Sequence, residues 1–420
     1  MKFTPTPLLA LAALTTAPGA LARPSSCTAK IVAPKAIYTI SNDHQNAVVA
    51  MPVQANGMVG KATSIATGGT GANAIDGSKN RPAAPDALFS QSALTVAGKF
   101  LLPTLPDHPL FPRLTPDRLQ MLFAVNAGSN TVSMFAIDAA DPTKLAMVGK
   151  PAAVPGEFPT TVAASDKHKT VCVGTTGAKA GVACARFSAA GGLGPMDALR
   201  PFALGQSTPP VGPTNTVSQV FFSRDQRTLF ATVKGDPAKN NTGFLARYAV
   251  AQDAAGCDGA TVAQKGAMAS PAGTAVLFGT ATIPGSQDLF VTDASFGAVV
   301  LSVQDANIAA VKGKGVVDGQ KATCWATFST ATKSAFVTDV SNNRLVEMSV
   351  TNAKVIGQLD LSANGDPGLI DLMAGGNFIY ALSPGNGSTP TAITVVDAIK
   401  RHKSSISRLA PQERIAWDWP

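Results

Sequence analysis

Short apolar segments alternate with turn-forming residues along most of the chain. In residues 121–138 (MLFAVNAGSNTVSMFAID), two stretches of alternating apolar residues flank an Asn/Gly/Ser turn, which predicts a β-hairpin. The same pattern recurs in six further places, residues 36–54, 169–188, 228–250, 288–305, 334–351 and 377–398. Seven copies of one supersecondary unit indicate a repeat fold.

Each hairpin belongs to a larger unit, because a short apolar segment precedes most hairpins and another can follow. This arrangement gives about four strands per unit of roughly 40–60 residues, which is typical of a propeller blade. We therefore predict an all-β fold, a seven-bladed β-propeller with four-stranded antiparallel blades. A β-sandwich or a pair of barrels is the alternative, but neither needs a repeated hairpin. No amphipathic helical pattern alternates with the strands, which argues against an α/β fold.

The two ends of the chain differ from the repeats. Residues 1–22 have a basic start, an apolar middle and Ala-Leu-Ala before Arg23, which predicts a signal peptide and a secreted protein. No later apolar segment is long enough to span a membrane, so no membrane partner is expected. We place a single propeller domain at residues 23–400. In residues 401–420 the composition changes and the alternation is lost, so we expect an aberrant C-terminal tail.

A second irregularity interrupts one hairpin-like unit at residues 100–120 (FLLPTLPDHPLFPRLTPDRLQ). This stretch contains five prolines and has no periodicity, and prolines at this density exclude a central strand. We predict an irregular, extruded insertion there. A retained intron in the gene is one hypothesis for its origin, and a transcript sequenced across the region tests it.

Charge and cysteines narrow the possible partners and the compartment. The formal net charge is +8, but the basic residues are scattered and not interleaved with aromatics, so no nucleic-acid partner is expected. Cys172 and Cys184 lie on opposite arms of one predicted hairpin and are the predicted disulfide. No CxxC pair is present, so no metal site is expected. Asn240 and Asn386 begin glycosylation sequons in predicted loops.

In a propeller, the first strand of each blade begins at one face, and the hairpin turns return to that face, where ligands bind. The polar and aromatic residues predicted there as substrate-binding candidates are Asp86, Gln91, Asn215, Gln219, Lys234, Asp236, Lys321, Trp325 and Asp371. We select Glu157 as the general acid/base, with Lys234 or Lys321 as the residue that holds an anion. The structural alternative for each position is turn capping or binding of a buried water. Capping is the favoured interpretation for Asp293 and Asp339, in the repeated Val-Thr-Asp turn.

Several stretches also resemble a known group of proteins. The units FAVNAGSNTVSMFAID, FVTDASFGAVVLSV and FVTDVSNNRLVEMS resemble the repeat of the seven-bladed lactonase (6-phosphogluconolactonase-like) propellers. PDALFSQ, GEFPTTVAAS, NTVSQVFFSRD and KATCWATFS are more similar still to secreted fungal 3-carboxymuconate cyclase-like proteins. The resemblance implies chemistry without metal or cofactor on a small organic acid or lactone. In that chemistry a carboxylate adds to a conjugated double bond, and a side chain supplies or removes a proton at carbon.

The histidines depart from the pattern that the resemblance implies. The family's enzymes are thought to use His, Glu and Arg on inner strands. The four histidines of this chain, His44, His108, His168 and His402, all fall in predicted turns, the insertion or the tail. We therefore transfer no catalytic histidine, and this weakens the prediction of an enzyme. The alternative is a non-catalytic extracellular protein that binds cell-wall polysaccharide or a host surface through the same face.

Overall fold

The computed structural model describes residues 34–98, 120–252, 260–303, 310–385 and 389–409. All of them lie in one compact unit, Val32–Pro420. The predicted signal peptide, residues 100–119 of the predicted insertion, Cys27, Cys257 and Asn386 lie outside the described residues. Within the described ranges, no helix is long and apolar enough to cross a membrane.

The chain folds as the predicted all-β, seven-bladed propeller with antiparallel blades. Seven sheets follow one another along the sequence, and in each the strands run in sequence order from the inner to the outer edge. Blades 2 to 4 each contain five strands, because two short outer strands both pair with the third strand. Blade 2 consists of β6 (Leu94–Ala97), β7 (Gln120–Asn126), β8 (Thr131–Ile137), β9 (Leu145–Met147) and β10 (Ala152–Ala153), and blade 3 consists of β11 (Pro159–Ser165), β12 (Thr170–Thr175), β13 (Gly181–Ser188), β14 (Gly192–Leu193) and β15 (Arg200–Pro201). Blade 4 consists of β17 (Val217–Phe222), β18 (Thr228–Val233), β19 (Phe244–Gln252), β20 (Ala260–Val262) and β21 (Ala267–Ala269).

Blades 5 to 7 each contain four strands. Their strands are β22 (Leu277–Thr282), β23 (Leu289–Asp293), β24 (Gly297–Ser302) and β25 (Ala310–Val316); β26 (Thr323–Ser329), β27 (Ser334–Asp339), β28 (Arg344–Met348) and β29 (Val355–Asp360); and β30 (Leu372–Gly375), β31 (Phe378–Ser383), β32 (Ala392–Asp397) and β33 (His402–Arg408). Three short 3₁₀ helices, Pro237–Lys239, Val340–Asn342 and Ser362–Asn364, lie in turns of the described chain.

Blade 1 has three described strands, β1 (Ala36–Ile40), β2 (Ala47–Pro52) and β3 (Thr63–Ala66). Its hairpin β1–β2 matches the second and third strands of the other blades. The first and last blades pack together through a shared apolar cluster in which Val49 and Met51 of β2 meet Tyr380 of β31 and Val395 of β32. This contact closes the ring, and burial of apolar side chains between successive blades supplies its main stabilisation.

The C-terminal region differs from our expectation. Residues 402–408 form β33, the outer strand of blade 7, in register with β32 from Ala392 opposite Arg408 to Asp397 opposite His402. An outer strand packs on few neighbours, so it tolerates the polar sequence HKSSISR, whose alternation is too weak to recognise. The domain thus extends past residue 400, to at least Arg408.

The insertion leaves and rejoins the sheet at one place. Ala97, the last residue of β6, pairs with Met121 near the start of β7. Gln120, which we assigned to the insertion, is already part of β7. The pairing of β6 with β7 is therefore continuous up to the residues that flank the insertion.

Two aspartates cap the turns of blades 5 and 6, as we predicted. The Asp293 carboxylate accepts hydrogen bonds from the N–H groups of Ala275 and Val276, at 2.7 and 3.1 Å. The Asp339 carboxylate accepts from the N–H groups of Lys321 and Ala322, each at 3.0 Å. Each carboxylate ties the start of an inner strand to the hairpin beside it, which satisfies backbone donors that would otherwise be buried without a partner.

A small extra sheet covers one part of the domain. It consists of β4 (Ile75–Asp76), β5 (Arg81–Pro82) and β16 (Val211–Gly212), with β16 parallel to β4. The chain that leaves β5 leads directly into the segment that runs through the candidate site.

Candidate functional site

The inner strands of four neighbouring blades are irregular. The register shifts between Pro159 and Thr161 in β11, Val217 and Gln219 in β17, Leu277 and Thr280 in β22, and Thr323 and Ala326 in β26. Such a bulge leaves backbone groups without ladder partners and re-aims the side chains beside it. At β26 the residues within the bulge are Cys324 and Trp325.

One segment, Asp86–Ser92, fills the space among these bulges, and we call it the axis segment. It bonds to blade 3 through Ser90 Oγ, which donates to the Thr160 carbonyl at 2.8 Å. It bonds to blade 4 through the Gln91 N–H, which donates to the Ser218 carbonyl at 2.8 Å. Trp325 Nε1 of blade 6 donates to the Ser90 carbonyl at 2.9 Å. The axis segment therefore links blades that are not neighbours in sequence.

Gln91 and Gln219 complete the ladders that the bulges interrupt. Gln91 Oε1 accepts from the Ala326 N–H and its Nε2 donates to the Ala326 carbonyl, both at 2.9 Å, so this side chain imitates a paired strand. Gln219 Oε1 accepts from the Thr280 N–H at 2.6 Å. Gly279 leaves room for this arrangement, since a Cβ there would lie 2.1 Å from Gln91 Oε1. Both glutamines, predicted to bind substrate, are thus occupied by the protein's own backbone.

Lys234 holds the axis segment from blade 4. Its Nζ donates to the Phe89 carbonyl at 2.5 Å and to Ser218 Oγ at 3.1 Å, and lies 4.4 Å from the centroid of the Phe278 ring. The residue is only 2 % exposed. Burial lowers the pKa of Lys234 to about 8, and the opposing effect of the Asp86 charge prevents a larger fall.

Asp86 and Asp371 are the two carboxyl groups of the cluster. Burial raises the pKa of Asp86 to about 7, against the effect of Lys234 and of the N–H groups of Phe89 and Leu88. Burial also raises the pKa of Asp371 to about 6, against the N–H of Leu372. The negative charge of Asp371 adds to the shift of Asp86. Both carboxyl groups are therefore harder to ionise than a free aspartate, and a charge on Asp371 makes Asp86 harder still to ionise.

Asp86 and Asp371 are half-buried as whole residues, whereas Lys234 is fully buried. Asp371 also has a φ of 59°, and Phe89 of the axis segment has a φ of 53°, both in the left-handed region that non-glycine residues rarely adopt. Backbone in this region costs free energy and persists where the surrounding contacts enforce it, which is common at functional sites. We name Asp86, Asp371 and Lys234 the axial triad.

Two further residues of the cluster are structural. Trp325 packs edge-on against Phe278 with ring centroids 4.8 Å apart and is 2 % exposed, so its ring is a packed aromatic and not a surface that is free to stack on a ligand. Cys324 beside it is buried, and burial raises the pKa of its thiol far above its usual range. An uncharged buried thiol is a poor nucleophile.

The remaining predicted binding residues do not join the axial triad. Asn215 occupies a turn, where its Nδ2 donates to the Leu204 carbonyl at 2.8 Å. Asp236 begins the 3₁₀ helix Pro237–Lys239 and forms an ion pair with Lys239 at 3.5 Å. Lys321 has an exposed side chain, and its backbone N–H is the group that bonds to Asp339. Their places at strand starts and turns were predictable, but their local partners were not.

Glu157 does not have the environment that we predicted for a general acid/base. Its Oε2 accepts from Thr208 Oγ1 at 2.7 Å, and its Oε1 lies 3.2 Å from Lys179 Nζ. These two contacts lower the pKa of Glu157, so the carboxylate is ionised throughout the neutral range. Its partners belong to surface turns, whereas the group with a pKa near neutrality is Asp86. The sequence placed Asp86 in the candidate set, but nothing local to PDALFSQ indicated that burial would raise its pKa.

Other predicted positions have separate outcomes. Cys172 and Cys184 form the predicted disulfide, between directly paired residues of β12 and β13. Asn240 is exposed at the end of the 3₁₀ helix Pro237–Lys239, and its glycosylation stays a prediction. In the part of the chain that the structure describes, no three His, Cys, Asp or Glu side chains are grouped so as to hold a metal ion.

Comparison with known proteins supports the fold. No family model matches the chain, and no curated protein matches it. A putative 6-phosphogluconolactonase from Bacteroides fragilis is similar in structure, with a TM-score of 0.54, 11% identity, and coverage of 92% of this chain and 97% of that one. A putative 6-phosphogluconolactonase from Bacteroides uniformis has a TM-score of 0.52 at 15% identity, covering 70% of this chain and 85% of that one. At these identities the likeness shows a shared fold.

Proposed function

We propose that the protein opens or closes a small lactone at the axial triad, without a metal ion. The observation that carries this proposal is the pair of carboxyl groups on the half-buried residues Asp86 and Asp371, whose pKa values burial raises to about 7 and about 6. General acid/base catalysis works best when the pKa of each group is close to the working pH. Two carboxyl groups whose environments separate their pKa values supply one acid and one base.

For lactone hydrolysis, the chemistry divides between the two carboxyl groups. Asp371, ionised first, acts as the base. It accepts a proton from the attacking water as the oxygen of that water bonds to the lactone carbonyl carbon. Asp86, still protonated, donates its proton to the ring oxygen as the bond between that oxygen and the carbonyl carbon breaks. The product is the open hydroxy acid, and one water is consumed. Proton return from Asp371 to Asp86 through solvent restores the starting state.

The resemblance of the sequence points to a more specific reaction, the closure of a muconate to a lactone. There a substrate carboxylate oxygen adds to one carbon of a conjugated double bond, and Asp86 delivers its proton to the other carbon. The anion-holding role that we predicted for Lys234 does not suit this site, because its ammonium group is buried and bonded to Phe89 and Ser218. We therefore assign Lys234 a supporting role, in which its charge limits the rise in the pKa of Asp86.

The experiment compares two carboxylate substitutions. The purified mature protein is incubated with gluconolactone, 6-phosphogluconolactone, 3-carboxymuconate and its lactone, and turnover is followed by proton release and ultraviolet absorbance. Asp86→Asn keeps an acceptor for the Phe89 N–H but has no acidic proton, so we expect turnover to fall by about 10²–10⁴-fold. Glu157→Gln is the matched control and should retain full turnover. Turnover that survives Asp86→Asn, or is lost in Glu157→Gln, contradicts the assignment.

The second candidate is a non-catalytic extracellular binding protein. The observation that favours it is the axis segment, because Gln91, Ser90 and Phe89 occupy positions along the axis that a substrate would otherwise reach. Absence of turnover on all four substrates, together with retention on cell-wall polysaccharide or on a host surface, supports this candidate over the first.

Both candidate functions include export of the protein from the cell. The predicted signal peptide and the Cys172–Cys184 disulfide are compatible with an oxidising compartment. We expect the mature protein to begin at Arg23 and to carry a glycan at exposed Asn240. N-terminal sequencing of the secreted protein, and loss of mass upon endoglycosidase treatment that Asn240→Gln abolishes, test the two points. An intact residue 1 in the culture medium contradicts the first.

A further inference from the structure

A buried carboxylate at the junction of blades 6 and 7 has no partner. Asp366 is 8 % exposed, and in the described part of the chain neither oxygen of its carboxylate has a hydrogen-bond partner. Buried polar atoms are bonded in the great majority of cases, and a buried charge usually has a countercharge. The described ion pairs do not include Asp366. Something other than the surrounding side chains must therefore satisfy this group.

A second orphaned oxygen lies at the same contact. Asn343 ends the 3₁₀ helix Val340–Asn342 of blade 6, and its Nδ2 donates to the peptide oxygen of Asp366. This bond fixes the orientation of the amide, so that the atom left over is the acceptor. Asn343 is 8 % exposed, and its Oδ1 has no partner among the described residues.

The three unsatisfied atoms are all acceptors. Two belong to a carboxylate and one to a side-chain amide. Hydrogen-bond donors would be the expected neighbours of such a group in a protein interior, but Lys403 of β33 donates instead to Asn364 Oδ1, at 2.6 Å. A set of carboxylate and amide oxygens without donors is what hard divalent cations select as ligands.

We propose that Asp366 and Asn343 bind a hard divalent cation of the calcium type. The cation would neutralise the Asp366 carboxylate and take Asn343 Oδ1 as a second ligand, with water and peptide oxygens completing its shell. Because the side chains supply one negative charge, we expect weak binding, with a dissociation constant on the order of 10⁻⁴–10⁻³ M. This range suits extracellular calcium. The site joins two blades next to the ring closure, so its role is to stabilise the ring.

The test measures thermal unfolding of the full chain after removal of metal with a chelator, as calcium chloride is added to about 10 mM. Binding to the folded state alone should raise the Tm by about 2 °C or more. Asp366→Asn should abolish this rise, because it removes the charge. Asp360→Asn is the matched control, since Asp360 is an exposed carboxylate nearby and should not affect the rise. Sodium chloride at equal ionic strength should not reproduce it.

Direct titration calorimetry of the wild-type protein with calcium keeps the test decisive if Asp366→Asn does not fold. One heat-producing site with the expected affinity supports the proposal. No heat and no rise in Tm for the wild-type protein overturn it, and so does an equal rise in Asp366→Asn. A higher Tm for Asp366→Asn than for a wild-type protein that ignores calcium also overturns it. None of these readouts depends on turnover at the axial triad.

Discussion

Asp86 and Glu157 lie at two strand starts that looked alike in the sequence, but their surroundings give them opposite properties. Glu157 meets a lysine and a hydroxyl donor at the surface, and these lower its pKa. Asp86 meets a lysine too, but burial outweighs that lysine and raises its pKa to about 7. The comparison teaches that a countercharge does not decide the protonation state of a carboxyl group by itself. The loss of hydration upon burial also counts, and at Asp86 it has a larger effect on the pKa than the countercharge has.

The largest effect should come from the cation of the axial triad. Lys234→Met removes a buried charge, leaves the Phe89 carbonyl and Ser218 Oγ without this donor, and removes the positive charge that limits the rise in the pKa of Asp86. Removing one partner of a buried charged group costs about 3–5 kcal/mol, and we expect the free energy of unfolding to fall by about that amount. Chemical denaturation measures it. Lys179→Met, which removes the exposed partner of Glu157, is the control and should be close to wild type. If Lys234→Met and Lys179→Met lose equal free energy of unfolding, burial does not make the lysine at the axial triad more important for stability than the exposed lysine.

A smaller effect should follow from the bulge at β26. Gln91→Leu leaves both the N–H and the carbonyl of Ala326 without partners, so we expect a loss of about 2–3 kcal/mol in the free energy of unfolding. Gly279→Ala should act in the same direction, because the added Cβ would displace the Gln91 amide. Denaturant unfolding of both variants checks this. A wild-type midpoint for Gln91→Leu would mean that the axis segment does not support the ring.

The dependence of stability on pH gives a subtler test. Between about pH 4 and pH 7 the folded protein keeps the Asp86 proton that the unfolded chain has lost, because its pKa is raised from 3.8 to about 7. The folded state binds more protons in this window, so this group makes the free energy of unfolding fall as pH rises. Asp371 acts in the same direction up to about pH 6. We expect Asp86→Asn to flatten the decline.

Glu157 should show the opposite sign at low pH. Its pKa is lowered in the folded state, so its contribution is present above the pKa of the unfolded chain and is lost as pH falls. Thermal unfolding of Asp86→Asn and Glu157→Gln from pH 3 to pH 8 compares the two carboxyl groups in one experiment. Because Glu157 is at the surface, its effect should be the smallest of the series. If the free energy of unfolding falls with rising pH as steeply in Asp86→Asn as in the wild-type protein, the raised pKa of Asp86 is contradicted.

The sequence predicted the features that depend on residues close together in the chain, and it missed those that depend on contacts between distant residues. The hairpins, the blade count and the disulfide depend on neighbours in sequence, so alternation and turn residues in stretches such as residues 121–138 were sufficient. The axial triad depends on contacts such as Lys234 with Phe89, which are 145 residues apart. The sequence placed Asp86, Lys234 and Asp371 near one face of the ring, but it contained no sign of which carboxyl group would be buried.

The bulges explain the remaining errors. A register shift in β26 turns Trp325 inward and presents Ala326 to Gln91, and no local pattern predicts such a shift. Polar residues at strand starts therefore look equivalent in the sequence, although Gln91 completes a ladder and Lys321 faces solvent. The strand β33 was missed for a related reason, since an outer strand needs little apolar alternation to pair with its neighbour.

The pairing of Ala97 with Met121 has a practical consequence. The two positions face each other across one ladder, so the chain that joins them begins and ends at neighbouring points of the sheet. Closing such a loop costs free energy that grows only with the logarithm of its length. This place on blade 2 is therefore where a reporter peptide or a whole guest domain can be inserted, or a short turn substituted, with little disturbance of the host.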